Sequence, residues 1–296
     1  MEKGPELVMY VEGRLMPQGL AMEIIRAAEL QSDRSFYDSE RTFNGKVFKL
    51  QQHLERLYGS LAYSQISPGV TLEEMESITL QVVEANCRFL GQDDEFIVNQ
   101  LITLRPPHSL QEEPEVSVIV YCQLLDFSSF AQSYVKGVKL VTADVFDIPT
   151  GSWTAHGGQQ IIPLRTDTDE YITECVGANF MFVRDGQIKL PSRRNWFRGI
   201  SAQTVLELAQ TLDIPIEEGY YTVQLVYGAD EAFITNSRCC LLPVSSLDGF
   251  RFSKESPGPE TRRLLEAWKT LVASDFVQKA LNHVTSGRSD GPFQAS

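Results

Sequence analysis

Between Phe36 and Leu61 the chain changes its hydrophobic period, and that change limits the folds open to it. Phe36-Tyr37-Asp38 leads into Ser39–Phe43, Asn44-Gly45 is a two-residue hairpin signal, and Lys46–Leu50 follows as a second extended run. Leu50, Leu54, Leu57 and Leu61 then recur at helical spacing, which predicts a helix with one buried face. Extended and helical segments joined this closely predict a mixed α+β chain.

The rest of the chain repeats the mixture. Met9–Met16 reads as two short strands turning at Glu12-Gly13. Leu72–Leu90 reads as a second helix, with Thr71 as N-cap and Glu74 three residues on, the pattern of a capping box. Glu95–Leu104 and Val116–Cys122 are strand-like, with a loop from Pro106 to Pro114. Beyond Leu125–Ser129, Lys139–Phe146, Tyr171–Thr173, Phe180–Val183, Ala232–Thr235 and Leu241–Val244 are short strands, with turns at Gly177 and Asp185-Gly186. Gly151–Gly158 reads as irregular. Gly199-Ile200-Ser201 opens a helix whose inner face is Val205, Leu208, Ala209 and Leu212, and Glu260–Val284 reads as one terminal helix. The expected organisation is a smaller N-terminal α/β subdomain over 1–124 and a linker over 125–130. A larger subdomain follows over 131–284, and a Ser- and Gly-rich tail over 285–296 is expected to be disordered.

Charge excludes one class of partner. A net charge of −13 with no cluster of Lys and Arg leaves no basic surface to release counterions, so nucleic acid is not expected. No apolar run is long enough to span a bilayer, and the first residues lack the pattern of a signal peptide; a cytoplasmic protein away from membranes is the expectation. The cysteines at 87, 122, 175, 239 and 240 form no CxxC pair, and the histidines at 53, 108, 156 and 283 make no metal spacing. Neither a disulfide framework nor a metal site is expected.

Four segments carry a resemblance. Phe36–Leu57 has an aromatic residue, Arg41-Thr42-Phe43, Gly45, Phe48-Lys49-Leu50 and His53-Leu54-Glu55-Arg56-Leu57. It resembles the opening of branched-chain and D-amino-acid aminotransferases of class IV, the fold-type IV pyridoxal-phosphate enzymes. Tyr171–Val183, Arg198–Thr204 and Phe233–Arg238 resemble the cofactor-cup motifs of the same family, in the same order. The resemblance implies an α+β fold of two subdomains. It also implies that Arg56 is the phosphate-binding arginine and that Ile200 and Ser201 form the helix N-terminus cradling the same phosphate. Ser237 would complete the cup, and Glu174 would bond the pyridine nitrogen. Phe36 and Arg105 are candidate substrate-binding residues. Each has a plainer reading: Arg56 on the surface of an amphipathic helix, Glu174 a solvated or salt-bridged carboxylate, Arg105 capping a strand end.

One part of the pattern is out of place. The family's Schiff-base lysine ends a strand well before the glutamate, with a helix between them. Here Val138–Val145 and Ile148-Pro149 are recognisable, and the lysine's position falls near Gly157-Gly158-Gln159. Ile161–Asp167 then runs almost directly into Tyr171, a helix short. Lys136 and Lys139 come too early and Lys189 too late. The expectation is therefore that no cofactor is covalently bound, with pyridoxal phosphate at most a reversible ligand. Pocket residues would then do acid/base chemistry on a small carboxylate or amino-acid-derived substrate, in a homodimer serving a specialised biosynthetic pathway. His156 is the first candidate acid/base because histidine titrates near neutrality, with Asp147 beside it in the altered stretch; a water-exposed loop histidine is the other reading. Cys175 is either a nucleophile or a buried inert thiol. Two further readings stay open: a transaminase or lyase with a relocated lysine, and an inactive binding or regulatory paralogue.

Overall fold

The turn at Glu12-Gly13, with φ of 46° and 86°, folds β1 (Val8–Val11) onto β2 (Arg14–Pro17). The computed structural model describes residues 6–29, 34–105, 115–144, 153–156, 159–192, 194, 196–252 and 255–285. The chain forms two compact units, Met1–Leu125 and Asp126–Ser296.

The first unit continues with α1 (Gln18–Glu29), β3 (Arg34–Phe43), β4 (Lys46–Val47), α2 (Leu50–Tyr63), α3 (Leu72–Asn86), β5 (Phe96–Arg105) and β6 (Glu115–Leu124). Its six strands run in the order β2-β1-β6-β5-β3-β4. The leucine repeat of α2 and Met75 and Val82 of α3 pack on Phe96, Val98 and Ile102 of β5. The opposite face gathers Met9, Val11, Leu101 and Ile119 with Ala21 of α1. Removing these side chains from water is the main stabilising term for such a layer.

The second unit comprises α4 (Ser133–Lys136), β7 (Val138–Asp144), β8 (Thr154–His156), β9 (Gln159–Thr166), β10 (Ile172–Cys175), β11 (Asn179–Arg184), β12 (Gln187–Pro191), α5 (Ile200–Thr211), β13 (Ile216–Gly219), α6 (Val223–Tyr227), β14 (Glu231–Asn236), β15 (Cys240–Leu247), β16 (Phe250–Arg251), α7 (Pro259–Leu271) and α8 (Phe276–Thr285). The sheet order is β10-β9-β7-β15-β14-β11-β12-β13, with β8 beside β9 and β16 beside β15. β7 is parallel to both β9 and β15, and α5 and α7 lie against β14.

The structure departs from the sequence reading in three places. Helix α1 carries a face that sequence patterning did not single out. Thr154–His156, read as irregular, pairs antiparallel with β9. The terminal helix is two helices: Ala273 takes φ of 48° and the Asp275 carboxylate accepts from the Gln278 amide at 2.9 Å, starting α8 afresh. Residues 125–130, read as a linker, begin at the boundary between the two units and hold buried side chains, Phe127 and Phe130 among them. The predicted loop at 106–114 and the tail from 286 lie outside the described residues.

Candidate functional site

The strand-turn-strand from β9 to β11 sets the first side of the site in the second unit. Asp167 closes the turn after β9 by accepting from the amides of Asp169 and Tyr171 at 3.0 and 2.9 Å. β10 then delivers Glu174, and Gly177, with φ of 69°, turns the chain into β11. Glu174 is half-buried, and its Oε2 accepts from the Phe197 amide at 2.9 Å. The Phe197 carbonyl accepts from Asn179 Nδ2 at 2.6 Å and from the Gly199 amide at 2.8 Å. Residue 199 is glycine because Asn179 Oδ1 comes so near that a Cβ there would lie 2.3 Å from it. Asn236 ties the third side in: its Nδ2 donates to the Gly177 carbonyl at 3.1 Å, and its Oδ1 accepts from the amides of Arg238 and Cys239. Glu174, the start of α5 and the turn bearing Ser237 thus form one hydrogen-bonded frame.

The start of α5 leaves donors unmet. First-turn amides of a helix have no partner within it, and Gly199 supplies no side-chain cap. Ile200 and Ser201 are buried, and among the described residues no acceptor meets their amides. Helix α7 shows the contrast. Its N-cap is also a glycine, Gly258, but Glu231 of β14 reaches over and accepts from the amides of Glu260 and Thr261 at 2.8 and 2.9 Å. The α5 end has donors and a positive dipole and meets no such carboxylate among the described residues, which is the donor set an external phosphate satisfies. Burial pushes the Glu174 carboxyl up, opposed by the Phe197 amide and the charge of Arg165; an acid so balanced can hold a protonated ring nitrogen. These residues fit pyridoxal phosphate at its phosphate and ring-nitrogen ends.

Of the other residues picked out from sequence, Cys175 is 1% exposed, and burial, then the neighbouring Glu174, pushes its thiol well above the ordinary range. That supports the reading of an inert thiol. His156 ends β8, but its side chain lies outside the described residues, as do the side chain of Arg105 and the whole of Asp147. Phe36 packs against the core beneath α2 and α3.

Arg56 belongs to a network in the first unit that sequence reading did not see. Asp38 and Glu40, two apart on β3, point to the same face and are both buried under α2. Arg56 donates to Asp38 from Nε and Nη2, at 2.8 and 2.5 Å. His53 Nδ1 lies 2.8 Å from Asp38 Oδ1. Gln100 Nε2 donates to Glu40 Oε1 at 2.6 Å, while Glu40 Oε2 has no hydrogen-bond partner among the described residues and lies 3.9 Å from His53 Nδ1. Burial alone would raise Asp38, but the hydrogen bonds of His53 and Arg56 bring it below its ordinary value. As an ionised carboxylate Asp38 only accepts, so His53, lowered by burial, is neutral and donates from Nδ1. Burial, with a smaller contribution from Asp38, pushes Glu40 up to about 8. Ligand-type atoms of Asp38, Glu40 and His53 lie within 4.8 Å of one another. The cation already at this carboxylate is the Arg56 guanidinium, so the cluster reads as a buried ion pair and a neutral acid.

Comparison with known proteins agrees with this frame. A sequence profile described as amino-transferase class IV matches residues 35–247. A D-alanine aminotransferase of Staphylococcus haemolyticus is 23% identical over 289 residues, spanning 90% of this chain and 98% of the relative. The crystal structure of Escherichia coli branched-chain amino acid aminotransferase superposes with a TM-score of 0.74 at 20% identity, covering 90% of this chain and 95% of that one. The branched-chain amino acid aminotransferase of Thermobaculum terrenum, in its PLP-form (holo-form), superposes with a TM-score of 0.75 at 18% identity, over 94% and 97%. The α+β fold-type IV architecture is therefore the fold of this chain. Among the described residues no helix is long and apolar enough to cross a membrane. One expectation is corrected: that no cofactor is covalently bound and pyridoxal phosphate is at most a reversible ligand. It conflicts with relatives on the same scaffold, one of them solved in its holo form. It rested on strand spacing through a stretch in which residues 145–152 and 157–158 are not described, and spacing there does not fix which amine serves the cup.

Proposed function

The chain belongs to the class IV aminotransferases, and from that premise we propose that it moves an amino group between a small amino acid and a 2-oxo acid, using pyridoxal phosphate seated in the cup of the second unit. The observation that carries the reading is the buried start of α5, whose Ile200 and Ser201 amides meet no acceptor among the described residues, beside a half-buried Glu174. When bound, pyridoxal phosphate supplies a ring that withdraws electrons from the substrate. Glu174, as an anion, accepts a hydrogen bond from the ring nitrogen and keeps its proton in place. The amides of Ile200 and Ser201 bind the phosphate, and the Ser237 hydroxyl adds a donor on the neighbouring turn. The reading includes the homodimer that the resemblance implies.

The amine that holds the group comes, in this proposal, from outside residues 140–188, a stretch without a lysine. Borohydride reduction of protein loaded with pyridoxal phosphate, followed by peptide mapping, checks this. The expected result is one modified lysine outside that stretch, with turnover of D-alanine or a branched-chain amino acid, the substrates named for the relatives. The lysine-free stretch also favours a second reading, a binding or regulatory paralogue. No modified lysine and no turnover with any amino acid would select it.

A further inference from the structure

The ladder between β9 and β10 changes register beside the cup. Thr166 pairs with Ile172 and Leu164 with Cys175, so two residues, Thr173 and Glu174, stand opposite Arg165 alone. Such a bulge re-aims the side chains around it. Thr173 Oγ1 donates to the Arg165 carbonyl at 3.1 Å, fixing the backbone at that point. Arg165 is half-buried, and its Nε is buried with no hydrogen-bond partner. The carboxylate across the bulge is Glu174, and the positive charge of Arg165 acts on it. No motif had singled out Arg165.

Among the described residues, the other groups acting on Glu174 bring no positive charge. The Phe197 amide is a neutral donor that orients one oxygen. The titratable group beside it on β10 is the Cys175 thiol, which burial and Glu174 itself keep protonated. We propose that Arg165 is a positioning residue of the cup: from across the bulge, its guanidinium keeps the Glu174 carboxylate an anion and aimed at the cofactor's ring nitrogen. The inference rests on the cofactor role given to Glu174 above. It does not need Arg165 to touch cofactor or substrate.

The test is a carboxyl NMR titration of cofactor-free protein labelled at glutamate, with the Glu174 signal assigned by E174Q. R165Q is expected to move the Glu174 midpoint upward, because desolvation then loses the opposing charge of Arg165. R165K, which retains the charge, is expected to return it most of the way towards the parent. An unmoved midpoint in R165Q overturns the proposal, and so does an R165K midpoint as displaced as that of R165Q, which would mark a purely structural role. Failure of the cofactor reading shows separately: E174Q would then bind pyridoxal phosphate as tightly as the parent, whatever the titration gives.

Discussion

Two carboxyl groups buried under one helix cannot both carry charge when a single guanidinium faces them, and in the first unit Asp38 takes it. Glu40 is left with Gln100 and remains a neutral acid at neutral pH, its value pushed up to about 8 from 4.5 by burial. The direction of the linkage follows. Between those two values the unfolded chain has released a proton that the folded chain retains, so the contribution of Glu40 is full below 4.5 and is lost as pH rises towards about 8. The thermal midpoint of the parent should therefore fall across this window. E40Q, which keeps the shape and can still pair with Gln100, should fall less steeply and overtake the parent at the upper end. Parallel slopes for the two proteins would remove the argument. Asp38 and Glu40 lie in a run that reads as extended, where alternate residues share a face. Asp38's partners, His53 and Arg56, come from a helix beyond a hairpin, and sequence reading weighed Arg56 as a phosphate ligand without seeing the carboxylate it holds.

Elements were legible where their instructions are local. Thr71 accepts from the Glu74 amide at 3.2 Å and the Glu74 side chain returns to the Thr71 amide at 2.7 Å, the reciprocal pair that the two residue types announce. T71A should cost about 1 kcal/mol, read as a lower urea midpoint at an unchanged slope. T71S should recover most of it, and an unchanged T71A midpoint would show that the cap contributes nothing to α3. The leucine repeat of α2 and the glycine turns at 45, 177 and 186 were legible for the same reason, since period and positive φ are properties of a few consecutive residues. What was not legible is non-local. The break between α7 and α8 comes from a backbone twist at Ala273, a residue that favours helix in isolation. β8 exists because β9 offers it an edge. The bulge opposite Arg165 appears only when two strands are laid side by side, so no reading of one segment could have reached it. The cup motifs placed Glu174, Ile200, Ser201 and Ser237 in one frame through family order, and composition had nothing to say about them.

At the scale of the whole molecule, the proposal seats an anion in an acidic chain. The net charge of −13 sets up a field that repels a phosphate from a distance. The α5 dipole and its free amides act only within the first turn or so. The two ranges can be separated with salt, because the screening length is about 30 Å at 0.01 M ionic strength and about 8 Å at 0.15 M. At low salt the repulsion extends across a molecule of this size; at the higher value it reaches little beyond contact, while the short-range donors of the cup are screened far less. The association rate constant for pyridoxal phosphate, followed by stopped-flow absorbance, should therefore rise between these two ionic strengths, the opposite of the usual behaviour for a steered anion. The dissociation rate should change less, since it reports contacts already formed. An association rate that falls with added salt would mean that a local cationic field governs approach and that the global charge does not reach the cup.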